Sequence, residues 1–182
     1  EGLAVSRIDD SALRLRGLIR KAAITSAWVE GVFADLSLML GQGLPAEFRG
    51  FARRVLEYPT RYPSLAELSR IASLSPGALK ARFRRRGLSS PAHYLRWFRL
   101  AAAARLLADP RETTLSASFR LGFTSDGNFC RWVQTTSGLT PSALREREGP
   151  MFLLARLAEE CFPGGTVEGW GSLDSLFLRD VA

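Results

Sequence analysis

Five residues, Asp126, Gly127, Cys130, Arg131 and Gln134, recur at three- and four-residue spacing and would share one face of a helix. Apart from the glycine, their side chains can hydrogen-bond. Phe129 and Val133 form an apolar seam on the opposite face, at i, i+4. A polar face backed by such a seam suits a groove lined with donors and acceptors better than it suits a core. Arg131 is the best placed of the five for a two-pronged contact to O6 and N7 of guanine, worth about 1–3 kcal/mol of discrimination. A second set is the run Arg84, Arg85 and Arg86. Adjacent guanidinium groups suit phosphate contacts, which give affinity without reading sequence. The plain alternative is a solvated helix end beneath the negative pole of its dipole.

The elements that must hold these residues can be read from the punctuation. Ser125 caps the helix that carries the polar face, and Gly138 closes it as a C′ glycine. Thr140 is the next N-cap, with Pro141 at the first helical position. Before that face, a short helix ends at a turn on Gly122. Helix, glycine turn and second helix make a helix-turn-helix.

The same unit occurs earlier. At an offset of 50, Ser75 matches Ser125, Leu79 matches Phe129, Phe83 matches Val133, Ser90 matches Thr140 and Pro91 matches Pro141; before the turn the offset is 49, pairing Leu74 with Phe123 and Ser69 with Ser118. In the first copy, Ser64 with Glu67 forms a capping-box pattern over a helix to about Ala72. Ser75 and Pro76 then open a helix to about Arg86. Between the copies, Ser90 caps a long helix from Pro91 to about Ala108, ended by Asp109-Pro110. Its expected inward residues are Tyr94, Leu95, Phe98, Ala103, Leu106 and Leu107. At 1.5 Å per residue it would be a rigid spacer of roughly 25 Å.

Gly122-Phe123, the F-x-R of Phe129 to Arg131, and G-L-T-P-x-x-x-R over Gly138 to Arg145 together resemble the DNA-binding domain of the AraC/XylS transcription regulators. The resemblance runs back to about Ser64 and covers somewhat under half of the chain. It implies that one protomer places two recognition helices in successive major grooves. By position, the outward residues would be Gly77, Lys80 and Ala81 in the first helix, and Asp126, Gly127, Cys130 and Arg131 in the second. Ala81 stands where that family usually has Arg, which either moves base reading in the first helix to Lys80 and Arg82 or weakens it. Leu88 stands where Gly is common, with Gly87 before it, and Ala117-Ser118 replaces a larger aliphatic-plus-Ala pair. Arg99 falls where the family has a structural Arg, expected to pair an ion or cap carbonyls. His93 is expected at the surface, and Trp97 and Trp132 in packing.

Charge follows the same division. Residues 64–147 carry 14 Lys and Arg against 5 Asp and Glu, residues 1–63 carry 9 against 7, and residues 148–182 carry 2 against 6, giving +9, +2 and −4. The excess therefore lies in the repeated segment, the footprint of a polyanion partner. Cys130, Cys161 and His93 are the whole complement of cysteine and histidine. That excludes a disulfide framework and an ordinary zinc site. Nothing supplies a nucleophile–base pair, so an enzyme is not expected, nor a cofactor. The best candidate membrane stretch, Ile24 to Leu40, is interrupted by Glu30 and Asp35. The first residue is Glu1 rather than Met, as in a fragment or a trimmed chain, and no basic-then-apolar leader is expected at the start.

The flanks read as helical. Ser11 can cap a helix with Leu15, Leu18, Ile19 and Ala22 on one side. Ile24 to Leu40 offers a stripe of Trp28, Val32, Leu36, Met39 and Leu40, closed by Gly41. Glu47 to Glu57 turns Phe48, Phe51, Val55 and Leu56 inward. Met151 to Phe162 is apolar on most sides, and Pro163-Gly164-Gly165 breaks it. The expected fold is all-α: two helix-turn-helix units joined by a long linker helix, with extra helices at both ends. Three regions follow: a helical flank over 1–44 for coupling or dimerisation, a DNA-binding domain over 45–148, and a helical extension over 149–182 packing on the flank. The expected function is sequence-specific transcription regulation. The residues expected at the DNA are Ser75, Gly77, Lys80, Ala81, Arg82, Arg84 and Arg85 in the first unit. Ser125, Asp126, Gly127, Cys130, Arg131 and Gln134 are their counterparts in the second. Expected partners are double-stranded DNA, RNA polymerase and a second copy, in the cytoplasm with the nucleoid; no sensor domain is identifiable. The competing reading is a degenerate helix-turn-helix pair that docks a protein and reads no specific DNA.

Overall fold

The computed structural model describes residues 24–146 and 149–173. The helix expected from Ser11 lies outside the described residues. Among those described, the structure is helical and has no strands. In chain order the helices are α1 (Ser26–Leu40), α2 (Ala46–Glu57), α3 (Leu65–Ile71), α4 (Pro76–Arg85), α5 (Pro91–Leu107), α6 (Thr114–Arg120), α7 (Asp126–Ser137), α8 (Pro141–Arg145) and α9 (Gly149–Cys161). Two 3-10 turns follow, Pro163–Gly165 and Trp170–Ser172.

The caps form where the sequence places them. The hydroxyls of Ser64, Ser75 and Ser90 accept from the amides of Glu67, Ala78 and His93 at 3.4, 3.1 and 3.3 Å. Ser125 and Thr140 do the same for Asn128 and Ala143, both at 3.2 Å, and Thr113, a cap not expected from the sequence, accepts from Ser116 N–H at 3.0 Å. The capping box at Ser64 is half made, because the Glu67 carboxylate accepts from Arg70 Nε at 3.2 Å.

Helix α5 is the axle. It packs against α2, α3 and α4 of one half, α6, α7 and α8 of the other, and α9. Tyr94, Leu95, Trp97, Phe98, Leu100, Ala102, Ala103, Ala104, Leu106 and Leu107 are all buried. The one-sided helix expected from the sequence is therefore covered nearly all round. The reason is α9, which lies on the side that two units alone would leave open.

The flank also differs in detail from the expected stripe. In α1 the buried residues are Val29, Val32, Phe33 and Leu36, while Met39 is 46% exposed and Trp28 half-buried. α1 contacts both α2 and α9, so its inward arc is turned toward Val29 and Phe33. Glu30 on α1 accepts from Arg49 at 3.2 Å and from Arg53, both on α2. The Arg53 hydrogen bond, aided by both guanidinium charges, holds the Glu30 carboxyl below its usual pKa. α9 buries Leu153, Leu157, Ala158 and Cys161 and leaves Met151 and Phe152 exposed, so it is covered on one face rather than on most. Between α1, α5 and α9 lies an apolar cavity of about 220 Å³, lined by Trp28, Val32, Ala101, Ala104, Leu153 and Leu157.

Candidate nucleic-acid interface

Each unit turns one helix outward. In α4 the seam is Leu79 and Phe83, both with no exposed surface. Gly77, Lys80, Arg84 and Arg85 are exposed on the other side, and Ala81 and Arg82 are half-buried. In α7 the seam is Phe129 and Val133, again fully buried. Asp126, Gly127, Arg131 and Gln134 are exposed, whereas Cys130 is half-buried and packs against the core. Ser75 and Ser125 serve as N-caps, so their hydroxyls are engaged with backbone. Asp126 Oδ1 accepts from the Gly127 amide at 2.9 Å. Arg84, Arg85 and Arg86 are all exposed, and among the described residues none pairs with a carboxylate. A solvent-facing cavity of about 370 Å³ beside α4 is lined by Gly77, Lys80, Ala81, Arg84, Leu88 and Ser90. It brings two cationic side chains together with the capped start of α5, where free backbone amides favour an anion.

The turns set the pitch of these helices. Leu74 N–H donates to Ser69 O at 3.0 Å, and Phe123 N–H donates to Ser118 O at 2.9 Å. The buried serines return hydroxyl bonds, Ser69 to Leu65 O and Ser118 to Leu115 O, both at 2.7 Å. Ala117 and Ser118 are fully buried, so this small pair is close-packed in α6.

Arg99 ties the two units together. Its guanidinium donates to Pro63 O, just before α3, at 3.3 Å, and to Leu121 O, at the turn after α6, at 2.7 Å. It also lies 5.3 Å from the Phe123 ring centre and 5.6 Å from that of Trp132. Burial lowers the pKa of this guanidinium. Of the two expected roles, carbonyl capping is the one formed. Arg145 acts similarly, donating to Glu112 O at 2.9 Å and Asp109 O at 3.4 Å. Trp132 stacks with Phe129 and meets Phe123 at a tilt, and Trp97 is buried beneath Arg156, so both indoles pack.

His93 is not a free surface residue. Its Nε2 lies 3.1 Å from Glu160 O and 3.4 Å from Glu160 Oε2, joining the start of α5 to the end of α9. No sequence pattern links positions 67 residues apart. Among the described residues no group of three or more His, Cys, Asp or Glu could hold a metal ion. No described helix is long and apolar enough to cross a membrane.

Comparison with known proteins agrees with this geometry. Residues 68–147 match the model of a family described as a helix-turn-helix domain, of the AraC type that the motif resembles. Over 82 residues the chain is 29% identical to an uncharacterized HTH-type transcriptional regulator, YobQ, of Bacillus subtilis strain 168. That alignment takes in 45% of this chain and 34% of the relative, so the chain spans about a third of the length of the curated protein it matches. No solved structure matches it.

Proposed function

We propose that the chain is the DNA-reading part of a transcription regulator, with α4 and α7 entering successive major grooves of one duplex. The observation that carries this is the pairing of two outward polar helices on one buried axle, locked in relative position by Arg99. The net +9 over residues 64–147 supports it, since phosphate neutralisation supplies much of the affinity. Arg131 and Gln134 read base edges in the second groove; Lys80 and Arg82 take that part in the first, where Ala81 offers no hydrogen bond. Arg84 to Arg86 hold the backbone. A chain of this kind acts at the nucleoid, with RNA polymerase and a second copy as partners.

Selection of bound duplexes from a random pool tests the reading. The expected result is a site with two recurrent blocks about one helical turn apart, roughly 34 Å. Substituting Arg84, Arg85 and Arg86 together by Ala should weaken binding to all duplexes alike. It should also flatten the slope of log K against log salt by about 0.9 for every phosphate that is no longer neutralised. Salt-independent binding, or no enriched sequence, favours the protein-docking alternative.

A further inference from the structure

The last described segment of the chain is built into the first unit, not into the second unit that precedes it in sequence. Trp170 has no exposed surface. Its ring centre lies 4.8 Å from Tyr94, 5.0 Å from Phe48, 5.6 Å from Phe83 and 6.0 Å from Phe51. Phe83 belongs to the seam of α4, so the indole presses directly on the recognition helix. Phe162 reaches the same cluster, 4.6 Å from Phe48. Two polar ties guide the segment there. His93 meets Glu160, and Gln42 Nε2 donates to Gly165 O.

Gly169 shows how close the approach is. A Cβ on it would stand 2.5 Å from Arg86 O, 2.9 Å from Leu88 Cδ2 and 3.1 Å from Leu88 Cγ. Its own backbone, at φ −60° and ψ −25°, suits any residue, so the demand for glycine here is one of space alone. What it rests against is the turn that ends α4. There Arg86 and Gly87 close on Phe83 and Arg84, and Leu88 N–H donates to Phe83 O at 3.0 Å. This turn carries the end of the Arg84–Arg86 run and leads to the Ser90 cap. A displacement of a few tenths of an ångström there moves those groups together.

We propose that Gly169 and Trp170 are positioning residues for the DNA contacts of the first unit: the segment 162–170 braces the C-terminal end of α4 so that Lys80, Arg82 and Arg84–Arg86 meet the duplex in register with α7. This rests on the DNA-reading role proposed above. It gives the C-terminal extension a part in recognition without any contact of its own to DNA.

The test uses the whole chain and the duplex recovered by pool selection, with hydroxyl-radical footprinting and salt titration as readouts. Gly169→Ala and Trp170→Phe should each lose protection over the half of the site read by α4 while keeping it over the half read by α7. The salt slope should flatten by about 0.9 for each phosphate that the first unit ceases to neutralise. Glu168→Ala, one residue earlier and exposed, should change neither readout. Full footprints with an unchanged slope overturn the proposal. So does equal loss over both halves, which marks a structural role alone. If the parent chain itself recovers no duplex, the DNA-reading role has failed, and the brace is then read by amide exchange. Gly169→Ala should speed exchange at residues 84–90 and leave 126–137 unchanged; exchange unchanged at 84–90 rejects the brace as well.

Discussion

The two helix-turn-helix units are alike in their local chemistry and unlike in what surrounds them. Each has a buried serine, a capped recognition helix and a seam of two apolar residues at i, i+4. At the turn they part. The first unit holds Ser73 at φ +53°, where the second holds Gly122 at φ +82°. The left-handed region costs an L side chain roughly 1–2 kcal/mol. The cores part as well. Phe83 sits among Phe51, Tyr94 and Trp170, drawn from three other segments. Phe129 meets Phe123 and Trp132 of its own unit, with Arg99 across the Phe123 and Trp132 rings. A duplicated sequence thus repeats caps and seams but neither the residue at the turn nor the cover. The unit with more borrowed cover is the one that sustains a strained turn, as expected when surrounding structure over-determines a local conformation.

The largest effect should come from removing a ring at the centre of the better covered unit. Phe83→Ala leaves a cavity in the Trp170 cluster and should cost about 3–5 kcal/mol in denaturant unfolding. In the parent chain, amide exchange should be faster in α7 than in α4, because the second unit has less cover. Equal protection in both helices breaks the comparison.

Next is the tie between the units. Arg99→Ala strands the buried carbonyl of Leu121 and should cost about 2–3 kcal/mol. Arg99→Lys should recover little, since one ammonium cannot reproduce the planar fork that spans Pro63 O and Leu121 O. Recovery of the parental melting temperature by Lys would mean that charge alone matters at this position.

Base reading should divide unequally as well. Arg131→Ala should relax preference at one base pair by about 1–3 kcal/mol. Ala81→Arg, at the matching position of α4, should sharpen the other half-site. Sequence selection with both variants decides this; unchanged selectivity in Arg131→Ala removes that residue from base reading.

The smallest effects belong to the turns. Gly122→Ala should lose about 1 kcal/mol, almost all of it from φ, because the nearest atom to the new Cβ would be Thr60 Cγ2 at an ordinary 3.8 Å. Ser73→Gly should gain a few tenths of a kcal/mol or more, since relief of strain is offset by unfolded-state entropy. Opposite signs from the two turns are the expected pattern, and matching signs would sink the strain argument.

What could be read from the sequence was whatever is local. Ser64, Ser75, Ser90, Ser125 and Thr140 cap helices because an N-cap needs only a short side chain and an amide three residues on. The i, i+4 seams of α4 and α7 follow from helical periodicity alone. Trp170 shows where that stops. It lies in an acidic stretch with no periodic pattern, and the rings it meets are more than 70 residues away in sequence. The tie of His93 is hidden from the sequence for the same reason, because its partner Glu160 leaves no local trace. The wrap-around burial of α5 depended on α9, whose docking face could not be chosen from a helix rich in apolar residues on several sides.

The route of the last segment also sets an order of assembly during synthesis. The second unit has its helices and its ring cluster as soon as residues up to Arg145 have left the ribosome. The first unit, although made earlier, lacks Trp170 until some 80 further residues follow Gly87. At about 5–20 residues per second that is a delay of roughly 4–16 s. Over that interval α4 has its caps and its arginines, but Phe83 has the rings of Phe51 and Tyr94 to cover it and not yet that of Trp170. The half of the protein translated first is therefore the half completed last.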